Sequence, residues 1–199
     1  MFFAAADHNF KMLPTLSEPV GEFGQDAINQ NGDIVVFKNN ITVMGFLGTN
    51  VKDRFGHVFN LAHKIYTPYS EFYDLQFVMV IPKGSEAVIP ELMEQLSEIK
   101  ETSKWQFLSA DPAQIQSVFS DLGSPYELET DLGSDYMYIL DKDAVLRGRT
   151  DDEDLGTLHG YNAANVAELD DKMDDDIQVI LAEYRRALKK NDKYKRKNL

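Results

Sequence analysis

Ile41-Thr42-Val43-Met44-Gly45-Phe46-Leu47 is almost wholly apolar, and it stops at Gly48-Thr49-Asn50. Beyond that turn the period changes. Phe55, Val58, Phe59, Ala62, Ile65, Tyr66 and Tyr69 recur at helical spacings and fall on one face. An apolar run without alternation suits a strand covered on both sides, and the spacing that follows is that of a helix packed on it. Strand, short loop and long helix thus follow one another within thirty residues, and the rest of the chain is read outward from them.

Towards the N-terminus, Asp33-Ile34-Val35-Val36-Phe37 is rich in β-branched residues and bounded by Asn31-Gly32 and Lys38-Asn39-Asn40, which predicts another strand. Residues 7–32 keep no period and are punctuated by Pro14, Pro19, Gly21 and Gly24, so 1–32 reads as an irregular arm. Towards the C-terminus, Pro68 should kink or end the first helix, and Leu75–Ile81 reads as a second buried strand. Pro90 opens a helix carrying Leu92, Met93, Leu96 and Ile99. Trp105–Leu108 is a short strand, and Asp111-Pro112 starts a helix closed by Gly123. Tyr136–Leu140 and Ala144–Leu146 flank Asp141-Lys142-Asp143 as a hairpin. This order predicts an α/β fold over 33–150, with a mixed sheet and helices on both faces.

Residues 151–199 read as an acidic linker followed by a long amphipathic helix. Val166, Leu169, Met173, Ile177, Ile180, Tyr184 and Leu188 recur every three or four positions, and Asn165 with Glu168 resembles a capping box. The stripe should cover its own domain; a partner or a second copy of the chain is the alternative cover.

With 199 residues and a net charge of -13, the chain suits one core with two arms and lacks a dedicated nucleic-acid surface. It has no cysteine, which excludes thiol–disulfide exchange and metal held on cysteine sulfur. No window of about 18 apolar residues offers a membrane span. Met1-Phe2-Phe3-Ala4-Ala5-Ala6 is too short for a signal peptide and reads as the remnant of a membrane tether, so a hydrophobic segment is expected before Asp7. Lys189, Lys190, Lys193, Lys195, Arg196 and Lys197 make a basic tail, read as a solvated end or as a contact for an anionic surface.

The strand, loop, helix, second buried strand and the hairpin opening Asp135-Tyr136-Met137-Tyr138-Ile139-Leu140-Asp141 together resemble the Sco/SenC branch of the thioredoxin-like superfamily, over about residues 33 to 150. The resemblance implies a thioredoxin-like fold. It also implies a copper and redox site made by a Cys-x-x-x-Cys pair at the start of the helix and a histidine before the hairpin strand. Laid on this chain, the cysteine positions fall at Val51 and Phe55 and the histidine position at Gly133. A slip in the loop moves the cysteine positions to Thr49 and Asp53, which restores nothing. All three ligands are missing. The Leu13-Pro14 entry is similar to that of bacterial members, which are exported and tethered, so the resemblance implies an extracytoplasmic place in a bacterial envelope; the alternative is the cytoplasm.

Other chemistry is thinly represented. His57 and His63 lie six apart, a poor spacing for a shared metal, and His8 and His159 stand alone. Met44, Met79, Met93 and Met137 occupy apolar positions and read as core rather than as thioether ligands of copper(I). Asp151-Asp152-Glu153-Asp154 lacks the pattern of a calcium loop. No phosphate-binding glycine motif and no nucleophile elbow is present. The expectation is a binding or assembly module with an unknown protein partner, no cofactor and no metal. The alternatives are a cysteine-independent enzyme using Thr49, Asn50, Asp53, Arg54 and His57, or weak copper carriage through methionine and histidine.

Overall fold

β2 (Ile41–Leu47) is buried at all seven positions because it lies in the middle of the sheet, as its unbroken apolar run predicts. The computed structural model describes residues 12–197, with side chains described as far as Ala187. On one side of β2 runs parallel β3 (Leu75–Pro82), itself parallel to β4 (Trp105–Ala110). On the other side lies antiparallel β5 (Gly133–Leu140), followed by β6 (Val145–Arg147). β1 (Thr15–Pro19) closes that edge against β6, and the two-residue β7 (Tyr161–Asn162) pairs with β5. The result is a seven-stranded mixed sheet.

Alternate residues of the central strands face opposite layers. Ile41, Val43, Phe77, Met79, Phe107 and Ile139 pack under α1 (Phe55–Leu61), α3 (Ile89–Ile99) and α6 (Asp174–Lys197). Met44, Phe46, Val78, Val80, Leu108 and Tyr138 pack on α4 (Pro112–Asp121), on Val20 and Phe23 of the N-terminal arm and on Val35 and Phe37 after it. Met44, Met79 and Met137 are fully buried. At Gly45 an added Cβ would stand 3.0 Å from Met137 Cε and 3.2 Å from Met79 Sδ, so the glycine makes room for core sulfur.

Three local readings change. Asp33–Phe37 joins no strand. The Glu22 carboxylate accepts the Phe37 N–H, and the Gln76 side chain donates to Val36 O, so side chains stand where a ladder was expected. Within the arm, Thr15–Pro19 forms β1, because the extended edge of β6 is open to it, and residues 20–32 join no strand beyond an isolated bridge from Ile28 to Ser109. The first helix ends one residue after Pro68, at Tyr69, and it widens before the proline instead of kinking. A π turn, Ala62–Tyr66, widens it just before the proline, and α2 (Thr67–Tyr69) follows, so the missing donor is absorbed by a wider turn.

The C-terminal helix is likewise interrupted: α5 (Val166–Glu168), a π turn over Leu169–Met173, then α6. Asn165 caps α5 by accepting from Ala167 N and Glu168 N, but Glu168 accepts from Asn162 N instead of completing a capping box. Leu169, Met173, Ile177 and Ile180 are buried in the core they were expected to cover, Leu181 joins them, and Val166 at the start of the stripe stays exposed. Two arginines fix this layer. Arg147 bonds Asp141, Glu183 and the Leu13 carbonyl, while Arg149 bonds Asp176, which also accepts from Tyr161 OH at 2.7 Å. Leu188 and the basic residues after it lie outside the described side chains, as do Met1–Ala6 and His8. No described helix is long and apolar enough to cross a membrane.

Candidate functional site

β2 ends at Leu47, and the turn Gly48-Thr49-Asn50 delivers the chain into a 3-10 turn, Val51–Arg54, that feeds α1. Across from it, Leu47 pairs with Gly133, the first residue of β5. Val51, Phe55 and Gly133 are therefore carried to the same end of the sheet by adjoining elements. Val51 is buried, Phe55 is half-buried, and the space beside Gly133 is filled by Arg54.

Arg54 is 5% exposed, which for a guanidinium requires compensation. Its Nη1 donates to Asp131 Oδ2 at 2.8 Å and to the Leu47 carbonyl at 3.1 Å. Its Nη2 stands 3.0 Å from Glu129 Oε2, and its Nε lies 3.9 Å from Asp135 Oδ1. Burial alone would lower the pKa of Arg54; the bonds to Asp131 and Glu129 outweigh it and raise the pKa. Burial pushes the Asp131 carboxyl up, and Arg54 together with the Gly133 amide more than reverses this, so Asp131 stays below the usual carboxylate range.

The loop before β5 is built to present these carboxylates. Glu129 N bonds Gly133 O, Gly133 N bonds Asp131 Oδ1, and Thr49 N bonds Asp131 O. Leu132 sits at φ 66°, an uncommon region for a leucine, and it turns the chain sharply between Asp131 and Gly133. A Cβ on Gly133 would fall within 2.6 Å of Cζ, Nη1 and Nη2 of Arg54. Gly133 is not in the left-handed region, so its glycine is required by the guanidinium and not by the backbone.

His57, one turn along, points its Nδ1 towards Asp135 Oδ1 at 3.7 Å. Neither His57 Nδ1 nor Arg54 Nε has a hydrogen-bond partner among the described residues, and both are buried. Burial lowers the pKa of His57; Asp135 opposes this and Arg54 adds to it. Of the five loop candidates, the structure brings together Arg54 and His57 and leaves Thr49, Asn50 and Asp53 exposed. The sequence reading missed Glu129, Asp131 and Asp135. Their alternate spacing in Glu129-Thr130-Asp131-Leu132-Gly133-Ser134-Asp135, opposite a lone arginine, was the available signal.

The remaining candidates are dispersed. His63 is exposed on α1's continuation, and His159 lies apart from the cluster. Asp152 accepts from Asp154 N and Leu155 N and pairs with Lys172 at 2.8 Å, so the acidic run caps its own loop. Among the described residues no group of three or more His, Asp or Glu is arranged to hold a metal ion.

No protein-family model matches the chain, nor does any curated protein. Solved structures do match. BsSco, a member of the Sco family of cytochrome c oxidase assembly proteins, aligns with a TM-score of 0.54 and 15% identity, covering 83% of this chain and 92% of that one. A SCO1/SenC family lipoprotein from Bacillus anthracis aligns with a TM-score of 0.51 and 18% identity, over 89% and 99%. The soluble domain of Sco1 from Bacillus subtilis aligns with a TM-score of 0.50 and 17% identity, over 86% and 97%. The fold is the thioredoxin-like fold of these Sco/SenC structures, carried by a chain without cysteine.

Proposed function

We propose that this chain is a non-redox thioredoxin-like protein whose ligand positions are closed by an internal ion pair, and that it works as a binding or assembly module at the bacterial cell envelope. One observation carries the reading. At Gly133, where the resemblance puts the histidine, the Arg54 guanidinium fills the room a side chain would need and is held by Asp131 and Glu129. The cation at the end of β2 is thus part of the chain, and Val51 and Phe55 offer only hydrocarbon beside it. The lipoprotein description of the Bacillus anthracis structure supports the envelope, and the assembly description of BsSco supports a partner-handling role.

Native mass spectrometry with Cu(I) tests the closed site. The unmodified chain should keep its apo mass, whereas the variant V51C/R54A/F55C/G133H should take up one Cu(I). Stoichiometric Cu(I) on the unmodified chain overturns the proposal, and an inert, folded quadruple variant overturns the assignment of positions. Fractionation of cells expressing the natural gene tests the place: recovery of the protein wholly in the soluble cytoplasmic fraction refutes the envelope. A second reading, an enzyme at the same loop, draws on the two unpartnered nitrogens that face Asp135.

A further inference from the structure

At the far edge of the sheet, away from Arg54, a cavity of about 600 Å³ opens beyond the carboxyl ends of β3 and β4. Ile81 and Phe107 line it from the sheet, Ile89 and Met93 from α3, and Ile28 from the arm. Its size lies in the range of small-molecule sites, and the end of parallel strands is where α/β sheets commonly place them. The arm that forms the lip is fixed in place. Ser109 N bonds the Ile28 carbonyl at 2.9 Å, and the Gln30 side chain both accepts from Phe107 N and donates to Trp105 O. Ile28 nevertheless remains 41% exposed, so the apolar lining reaches the surface.

The carboxylates at this cavity outnumber its one amine. Lys83 is the one amine lining it, and Asp26 and Asp111 hold that amine at 2.8 and 2.9 Å, which neutralises it towards an anion. Glu86, exposed at the mouth of the cavity, makes no ion pair within 4 Å among the described residues, and the charge of Lys83 reaches it only at longer range. Its carboxylate accepts from Ser109 Oγ and, at 2.8 Å, from Gly84 N, so each oxygen keeps further accepting capacity. Hydrogen bonding from Ser109 holds Glu86 below the usual carboxylate range, so it is charged at neutral pH. An ionised carboxylate at the wall of an apolar cavity selects a ligand with a hydrocarbon body and a positive end.

We propose that this cavity binds a small aliphatic amine, its hydrocarbon among Ile28, Ile81, Ile89, Met93 and Phe107 and its ammonium at Glu86 and Ser109. The reading is independent of the Arg54 cluster and stands whether or not that site is closed. The test is a titration of the full chain, labelled at methionine methyls, with n-hexylammonium, n-hexanol and n-hexanoate, followed by NMR. The Met93 methyl should move saturably with hexylammonium, with an affinity about threefold above hexanol, as expected for an ammonium beside an exposed carboxylate, and further above hexanoate. Ile28→Trp at the lip should abolish the shift without unfolding the chain, and Glu86→Gln should erase the preference of ammonium over alcohol. Should Glu86→Gln fail to fold, high salt on the unmodified chain provides the same comparison, because the preference must shrink with ionic strength. Equal affinity for the three ligands, no saturable change, or a change that leaves the Met93 methyl still overturns the assignment.

Discussion

Gly133→Ala adds a single methyl group at a position whose backbone an alanine adopts without strain, so its cost measures the contact with Arg54. The new Cβ would stand within 2.6 Å of three guanidinium atoms, closer than carbon and nitrogen can approach. Either the guanidinium stays and the site is overpacked, which costs about 1–3 kcal/mol, or it swings out and leaves Asp131 without its cation. The second route gives up a mostly buried pair, for which about 3–5 kcal/mol is the full loss when one partner is removed. Because Arg54 is long enough to relax towards solvent, and Glu129 is largely exposed, we expect about 2–3 kcal/mol, below the full loss of the pair. The assay is urea unfolding of the four proteins of a double-mutant cycle: the parent, Gly133→Ala, Arg54→Ala and the double variant. With Arg54 truncated the clash is gone, so Gly133→Ala should cost less than about 0.5 kcal/mol there, a coupling of about 2 kcal/mol. In thermal melts the single Gly133→Ala change should lower Tm by about 4–12 °C for a chain of this size. If Gly133→Ala costs the same in both backgrounds, the guanidinium does not occupy the space beside Gly133 and the closed-site reasoning fails.

Three further outcomes are expected. His57 has a folded pKa below its ordinary 6.5, so its contribution is complete above about pH 6.5 and is lost as pH falls through the folded value; His57→Gln should flatten the stability–pH profile below pH 6.5, and an unchanged slope between pH 5 and 6.5 would assign that slope elsewhere. Asp141→Ala leaves Arg147, itself 5% exposed, with Glu183 as its one carboxylate beside the Leu13 carbonyl and should cost about 3 kcal/mol, whereas Asp74→Ala, at a part-exposed pair with Lys142, should cost less than about 1 kcal/mol; chemical denaturation gives both figures. Removing residues 164–199 uncovers the core under Leu169, Met173, Ile177, Ile180 and Leu181, side chains each worth about 1.5–3 kcal/mol when buried, against a whole stability of about 5–15 kcal/mol; the truncated chain should lose its cooperative melt, and a native-like transition would show that the C-terminal layer is dispensable.

How much of this was legible in the sequence depends on where each element finds its partners. β2, β3 and the stripe from Leu169 to Leu181 announce themselves because burial on both faces of a strand, or on one face of a helix, is written in local apolar spacing. Asp33–Phe37 has the same local signal as a strand, yet Glu22 and Gln76 supply its partners through side chains, and no local pattern distinguishes a ladder from such a substitute. β1 shows the reverse: Thr-Leu-Ser-Glu-Pro has weak strand character and pairs only because β6, some 130 residues later, leaves an edge open. The π turns are equally non-local. Lys64 meets Asp170 at 2.8 Å and Tyr69 OH meets Asp174 at 2.6 Å across them, so each turn is widened against a partner that only the fold brings near. Arg54 is the sharpest case. By composition it is an ordinary cation in a helical first turn, where the helix dipole favours an anion instead. Asp131, placed by the strained turn at Leu132, and Glu129 beside it make its burial tolerable, and the absence of a side chain at Gly133 makes it fit. Three residues from two segments thus satisfy one another, and each taken alone looks like a poor choice for its position. A mutual fit of that kind leaves its trace in pairs of positions, which is why the double-mutant cycle, and not either single change, is the measurement that reads it.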